Sequence, residues 1–186
     1  VQDNSPTMME AVETYLRLKA EKQTPTFIRA AKRNGRYVAE ALGNRPITSY
    51  SSSDAAAFRD HLFDKGLSLG SVKRIFGSVR SIINLVMREH GIEGSNAFAK
   101  TYMPDRDDSQ DRQPVPQDKL IILQKACQET DDEMRWLLGL ISDTGMRLSE
   151  AAGLHRDDIV LNAPESHINL TAHPWRRLKT KSRARH

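Results

Sequence analysis

The segment at residues 143–154 constrains this chain more than any other part of its sequence. The apolar run at 136–141 has the composition of a helix, and a Thr-Gly pair then breaks that helix. Arg147 follows at the start of a second predicted helix, with Ser149 and Glu150 directly behind it. Helix N-termini present unpaired N–H groups and a positive dipole end, and a guanidinium binds phosphate through two hydrogen bonds. The segment therefore predicts a helix, a turn and a second helix that together bind phosphate.

The distribution of charge along the chain points to a polyanionic partner. Residues 1–103 carry 15 Lys and Arg against 10 Asp and Glu, residues 104–170 carry 7 against 14, and residues 171–186 carry 6 against none. Two basic regions around an acidic middle are expected of a protein that holds a polyanion from two sides. For residues 1–103 taken alone, ordinary solvated helix faces explain the charge better.

Composition and motifs argue against several other classes of protein. No apolar run is long enough to span a membrane, and the first residues do not resemble a signal peptide. Cys127 is the only cysteine, which suits a reducing cytosol, and its apolar neighbours predict a buried packing thiol. His167 and His173 lack the spacing of metal ligands. We therefore expect a cytoplasmic protein without a bound metal.

Residues 1–103 are predicted to form a bundle of four helices with short connections. Each helix is predicted to begin at a capping residue: Thr7, Thr24, the serines at 51–53, and Ser68 or Ser71. Three of the helices are predicted to end at glycines: Gly43, Gly66 and Gly91. Gly35 lies inside the second helix, where it predicts a kink or a break.

The rest of the chain is predicted to be a linker followed by a mixed unit. Residues 104–117 hold three prolines and four aspartates without apolar periodicity, as a linker does. Residues 118–131 are predicted to be a helix, and two short strands are predicted at 159–161 and 167–170. Trp136 and Trp175 are expected to pack in the core or at an interface. The predicted fold is mainly α, with a short β-sheet in its second part.

This order of elements resembles the tyrosine recombinase (phage integrase) family. The residues that carry the resemblance are Thr-Gly-Met-Arg-Leu-Ser-Glu at 144–150, Leu154, Asp-Asp-Ile at 157–159 and Leu-Lys-Thr-Lys-Ser at 178–182. The resemblance runs from Thr7 to His186. It implies a four-helix core-binding (SAM-like) bundle at 1–103 and the N-terminal part of an α+β catalytic domain at 118–186.

The same resemblance implies an activity and its partners. Family members cut and rejoin duplex DNA at specific sites through a 3′-phosphotyrosine link, and they act as tetramers on DNA. They need no metal and no nucleotide or other small-molecule cofactor. A protein of this family is expected in the cytoplasm, associated with the nucleoid and encoded by a bacterium or a phage. No membrane partner is expected.

Three residues receive catalytic roles from the resemblance. Arg147 would stabilise charge on the scissile phosphate, with Glu150 as its support. Lys179 would be the general acid that protonates the leaving oxygen, and Lys181 is its alternative. The simpler interpretations stay open: a surface ion pair between Arg147 and Glu150, and plain phosphate contacts from the two lysines.

The predicted DNA contacts come from three basic groups. The first group shares one face of the second helix: Arg29, Lys32, Arg33 and Arg36. The second group is predicted to form a basic face of the fourth helix: Lys73, Arg74 and Arg80. The third group lies in the basic tail: Arg176, Arg177 and Lys181. For each residue of the first two groups, a solvated side chain without a DNA role is the alternative.

The chain departs from the family pattern in one respect. The family's His-x-x-Arg motif and tyrosine nucleophile follow the lysine segment, whereas the four tyrosines here all precede Arg147. We therefore expect a truncated recombinase that binds DNA without cleaving it, with the apolar faces of 118–161 exposed or paired with another copy. The alternatives are a non-catalytic DNA-binding or regulatory protein on a degenerate recombinase scaffold, and a helical protein-interaction module.

Overall fold

The structure is a computed structural model that describes residues 5–19, 24–105, 113–176 and 178. Its contacts divide the chain into two compact units, Val1–Asp111 and Arg112–His186. The boundary between the units falls inside the segment at 104–117, where the sequence predicts a linker.

The first unit is built from four long helices that begin at the predicted caps. The helices are α1 (Met8–Lys19), α2 (Pro25–Leu42), α3 (Ser52–Asp64) and α4 (Leu69–Glu89). A short 3₁₀-helix, Ile47–Ser49, lies between α2 and α3. The fourth cap is Ser68 rather than Ser71, because the Ser68 hydroxyl accepts the N–H of Ser71 at 3.4 Å. Local capping chemistry therefore determines where each helix starts.

A single apolar core holds these helices together. Its aromatic centre consists of Phe58, Phe76 and Phe98, whose ring centroids lie 5.4 to 6.0 Å apart. Aliphatic side chains from α1, α2 and α4 surround these rings and are buried with them. Burial of this many large side chains is the main source of stability for a domain of this size.

Gly35 neither kinks nor breaks α2, which runs without interruption from Pro25 to Leu42. The residue is buried against α1, and a Cβ atom built on it would lie 2.3 Å from Cγ2 of Val12. Gly35 therefore lets two helices approach closely, and packing between helices outweighs its poor helix propensity.

The second unit mixes short helices with a two-stranded sheet. Its elements are α5 (Gln117–Glu129), α6 (Glu133–Thr144), α7 (Leu148–Ala151), the 3₁₀-helix Arg156–Asp158, β1 (Ile159–Val160) and β2 (His167–Ile168). The two strands are antiparallel, with Ile159 opposite Ile168 and Val160 opposite His167. Both strands are shorter than predicted.

The second unit leaves much of its apolar surface exposed, as expected for residues 118–161. The exposed large side chains include Ile121, Ile122, Met134, Trp136, Leu138, Leu148 and Leu161. Trp136 and Trp175 are 63% and 61% exposed, so neither packs in a core among the described residues, and their packing at an interface stays a prediction. Cys127 is buried, as predicted.

No helix among the described residues combines the length and the apolar character that crossing a membrane would require.

Candidate functional site

A tight turn between α6 and α7 positions Arg147. The helix α6 ends at Thr144, and Gly145 follows in the left-handed conformation with φ +65°, its N–H donating to Ile141 O at 3.0 Å. A residue without a Cβ adopts this conformation at little cost, which explains the glycine at this position. Arg147 is then extended, with φ −72° and ψ 148°, directly before α7. The turn thus sets the point from which the arginine side chain projects.

A buried carboxylate fixes the orientation of Arg147. Glu150 is 1% exposed, and its two oxygens accept the backbone N–H and the Nη1 of Arg147, each at 3.1 Å. The Arg147 side chain is itself 36% exposed. A guanidinium carries five N–H donors, more than the one bond to Glu150 uses. The ion pair that the sequence offered as an alternative to catalysis is present, and it leaves the arginine able to bind an anion as well.

Arg176 does not lie on the surface, which corrects its prediction as a DNA contact. The side chain is buried at 2% exposure, and its Nη1 lies 2.9 Å from the Asp158 carboxylate. Its Nε and Nη2 donate to the carbonyl of Thr171, and Nη1 also donates to Gly153 O at 3.1 Å. These partners occupy the guanidinium inside the unit. The run of basic residues in the sequence gave no sign that Arg176 is buried.

Asp158 is the centre of the same buried network. Its carboxylate also accepts the backbone N–H of His155 at 2.8 Å and pairs with His173 Nε2 at 2.9 Å. Burial raises the pKa of Asp158, but the hydrogen bonds from His173, His155 and Arg176 outweigh burial and hold that pKa below its usual range. The network joins the chain after α7 to the segment after β2. It therefore braces the helix that carries Glu150.

The remaining residues of the basic tail cannot be placed in this way. Arg177, Lys179 and Lys181 lie outside the described residues, and between them only Leu178 is described. Their roles in catalysis and in DNA contact stay predictions.

In the first unit, the four basic residues of α2 share one face. Arg29, Lys32, Arg33 and Arg36 are all exposed, and helical geometry places them within an arc of about 100°. The residues predicted on α4 do not share a face in this way. Lys73 and Arg80 point to one side, and Arg74 lies roughly 100° around the helix from Lys73.

Arg80 differs from the other predicted contacts of this unit because it is only partly exposed. Its Nε donates to Phe76 O at 3.3 Å and its Nη1 to Ala99 O at 3.4 Å. These bonds tie the guanidinium to the backbone of its own unit. Arg80 is therefore less available to DNA than Lys73 and Arg74, which are exposed.

The structure brings together two arginines that the sequence assigned to separate faces. Arg33 of α2 and Arg74 of α4 line one cleft, whose volume is about 710 Å³. Spacing along the chain gave no sign of this pairing, because it depends on how α2 packs against α4. Within the parts of the chain that the structure describes, no group of three His, Cys, Asp or Glu side chains could hold a metal ion.

No protein-family model and no curated protein sequence matches this chain. Solved structures do share its fold. The Tn1549 transposon integrase in complex with circular intermediate DNA has a TM-score of 0.69 and 21% identity, over 85% of this chain and 52% of that one. The lambda integrase dimer bound to a COC′ core site has a TM-score of 0.70 and 19% identity, over 85% of this chain and 44% of that one. The lambda integrase tetramer bound to a Holliday junction gives the same four values.

These likenesses confirm the predicted fold. The chain has the mainly helical fold of the integrase core-binding and catalytic domains, with a two-stranded antiparallel sheet. It spans about half the length of the solved structures that it matches.

Proposed function

We propose that this chain carries the DNA-binding domain and part of the catalytic domain of a site-specific tyrosine recombinase. The observation that carries the proposal is the Arg147–Glu150 pair, a partly exposed arginine held by a buried carboxylate. The shared fold supports it, since the integrases of like fold were solved in complex with DNA. In this proposal residues 1–103 bind duplex DNA, residues 104–117 are the linker and residues 118–186 contribute to the catalytic site.

The chemistry follows from the charge that builds on a phosphodiester under attack. Arg147 donates to the non-bridging oxygens, on which negative charge grows in the transition state. Glu150 holds the guanidinium in place, so little reorganisation is needed as the reaction proceeds. Lys179 protonates the leaving 5′ oxygen, with Lys181 as the alternative donor. The transfer is carried by side chains alone and uses neither a metal nor a nucleotide cofactor.

The proposal gives this chain DNA binding without cleavage. Its tyrosines are Tyr15, Tyr37, Tyr50 and Tyr102, and all of them precede the linker. Tyr15 and Tyr50 are buried, and burial raises the pKa of both hydroxyl groups, which makes them poor nucleophiles. The attacking tyrosine and the His-x-x-Arg motif would come from a longer protein that contains this segment. That protein, encoded by a bacterium or a phage, would act as a tetramer on DNA in the cytoplasm.

A second candidate function rests on the positions of the tyrosines, all four of which precede Arg147. A recombinase scaffold without its nucleophile could bind a DNA site as a regulator and never cut it. The two candidates agree on DNA binding by residues 1–103. They differ in whether Arg147 meets a reacting phosphate.

The first experiment tests DNA binding by this chain. We expect its affinity for duplex DNA to fall steeply between about 50 and 200 mM salt, because phosphate contacts release counterions. No binding at low salt would contradict both candidates and favour a protein-interaction module.

The second experiment tests the catalytic assignment in the longer protein. A nicked DNA substrate traps the covalent adduct, and Arg147→Ala should reduce its rate of formation on the order of 10²- to 10³-fold. Arg135→Ala is the matched control, because Arg135 pairs with an exposed Asp132 in the same unit. Normal adduct formation by Arg147→Ala would refute the role of the arginine. A longer protein that binds DNA and forms no adduct would favour the regulator.

A further inference from the structure

The cleft in the first unit lies between α1, α2 and α4, and of the four basic residues of α2 it is Arg33 that lines it. Its polar lining includes Arg33, Asn34 and Tyr37 from α2 and Ser71, Arg74 and Ser78 from α4. Aromatic and aliphatic side chains line the rest. Its volume, about 710 Å³, lies in the range of sites that hold small ligands or parts of larger ones.

The charge of the cleft suits an anion. Of the described residues that line it, two are arginines and none is acidic. Two lysines lie against aromatic rings of its wall: Lys19 Nζ is 5.2 Å from the centroid of Tyr15, and Lys65 Nζ is 5.3 Å from that of Tyr37. Arg33 and Arg74 therefore give the cleft a positive lining, and Lys19 and Lys65 lie beside two of its aromatic residues.

Arg74 is held in position before any ligand arrives. Its Nη2 donates to the Ser71 hydroxyl at 3.0 Å, and the Ser68 hydroxyl donates to the same oxygen at 3.1 Å. Ser68 also caps α4, so this chain of hydroxyl groups is anchored to the start of the helix. A preorganised guanidinium loses less entropy when it binds a phosphate.

Asn34 is a buried polar side chain in the lining of the cleft. The residue is 5% exposed and lines the cleft, and its Oδ1 has no hydrogen-bond partner among the described residues. Buried polar groups are nearly always hydrogen-bonded, so an unpartnered one calls for an explanation. The side-chain NH₂ of Asn34 is a donor whose hydrogen bond a phosphate oxygen can accept.

We propose that this cleft is a phosphate-binding site in which Arg33 and Arg74 hold one phosphate group between them and Asn34 completes its hydrogen bonds. A phosphate of the duplex DNA backbone is the source that follows from the proposed function, on which this assignment rests. A free phosphate ion has the same chemistry and is the other source. The two arginines act as one clamp and do not make two separate contacts.

The clamp makes a specific prediction about the salt dependence of DNA binding by the full chain. When two arginines share one phosphate, either of them alone still neutralises it. Arg33→Ala and Arg74→Ala should each weaken binding about tenfold and leave the slope of log K against log salt nearly unchanged. The double variant should lower the magnitude of that slope by about 0.9.

Arg88→Ala is the matched control, because Arg88 is an exposed arginine of α4 that does not line the cleft. It should change the affinity less than about threefold, since a lone surface charge contributes little. Slope changes of about 0.9 for each single variant and about 1.8 for the double variant would show two separate contacts and overturn the clamp.

Titration with inorganic phosphate, followed by NMR of the side-chain amide of Asn34, distinguishes the sources. Weaker DNA binding in the cleft variants, with no phosphate response, assigns the site to the DNA backbone. A phosphate response that the cleft variants abolish, with unchanged DNA binding, assigns it to the free ion. If the variants change the affinity for neither DNA nor inorganic phosphate, the cleft proposal fails. DNA binding by the wild type would still leave the proposed function intact.

Two acidic variants test the cleft, so that the test does not depend on a single variant being able to fold. Asn34→Asp puts a negative charge at the floor of the cleft, and Ser78→Asp puts the same charge on its wall in a less buried position. Each variant whose circular dichroism spectrum matches the wild type should lower phosphate or DNA affinity at least about tenfold. Wild-type affinity in a folded acidic variant would overturn the site.

Discussion

Each of the two units of this chain is stabilised internally by a different kind of interaction. The first unit surrounds three phenylalanine rings with aliphatic side chains in one continuous core. The second unit buries Cys127, Ala151 and Leu170 and exposes many large apolar side chains. What it buries instead is polar: Glu150, Asp158 and Arg176. The first unit therefore gains its stability from apolar burial, and the second depends more on a few paired charges.

This difference has a consequence for how the Arg147 site is built. A buried charge that loses its partner is costly, so a network of paired charges fixes the geometry of its members. Arg147 is positioned by Glu150, and the segment behind α7 is braced by Asp158 and Arg176. The second unit thus concentrates its buried interactions around its candidate site. Its exposed apolar faces leave room for further contacts, whether with more of a longer chain or with another copy.

The largest contrast should appear when an aromatic side chain is removed from each unit. Phe58→Ala in the first unit should cost roughly 3–5 kcal/mol of unfolding free energy, because Phe58 is fully buried. Trp136→Ala in the second unit should cost less than about 1 kcal/mol, since Trp136 is 63% exposed. Urea denaturation followed by circular dichroism measures both. Equal losses would mean that Trp136 is packed in solution and that the two units do not differ in this way.

The second prediction breaks the polar network directly. Arg176→Met keeps most of the side-chain volume and leaves Asp158 buried without its cation, which should destabilise the second unit by about 3 kcal/mol. Both tryptophans, Trp136 and Trp175, belong to this unit, so their fluorescence reports its unfolding alone.

The control for that variant is Arg156→Met, which removes an exposed arginine two residues before Asp158. It should change the stability by less than about 0.5 kcal/mol. If Arg176→Met were as mild as the control, the buried pair would contribute little, and Arg176 could again be considered for DNA contact.

These residues also show how far the sequence alone could lead. The helix starts of the first unit were predictable because a capping serine or threonine bonds to the backbone three residues away. The Arg147–Glu150 pair was predictable for the same reason, since positions three apart on a helix are neighbours. All of these interactions are local in the sequence.

The interactions that could not be predicted from the sequence join distant parts of the chain. Arg176 meets Asp158 only because the chain reverses direction between β1 and β2. Arg33 and Arg74 share a cleft only because α2 packs against α4. A basic residue in a basic run looks the same in the sequence whether it is buried or exposed, so neither arrangement could be read from spacing.

The third prediction concerns acid. The pKa of Asp158 is lowered in the folded unit, so between its folded value and the unfolded value near 4 the unfolded chain binds the extra proton. The stability that the carboxylate contributes is therefore complete above about pH 4 and is lost as the pH falls below it. Tryptophan fluorescence at several pH values should show the second unit losing stability in that range.

Asp158→Asn tests the origin of this acid sensitivity. The variant should be less stable than the wild type at neutral pH, and its stability should change less below about pH 4. Glu165→Gln, at an exposed position in the same unit, should keep the wild-type profile. An unchanged acid profile in Asp158→Asn would assign the sensitivity to other carboxylates.

The smallest expected effect is the loss of stability when a helix N-cap is removed. This loss should be the same in both units, because both contain such caps. Ser51 caps α3 by accepting the N–H of Asp54 at 3.1 Å, and Asp132 caps α6 by accepting the N–H of Arg135 at 2.9 Å. Replacing either residue with alanine should cost about 1 kcal/mol. Circular dichroism measures the loss in the first unit and tryptophan fluorescence the loss in the second. Equal losses would mean that local capping works alike in the two units, so that the units differ in what they bury. A much larger loss for Asp132→Ala would show that even the local interactions of the second unit depend on its charge pairs.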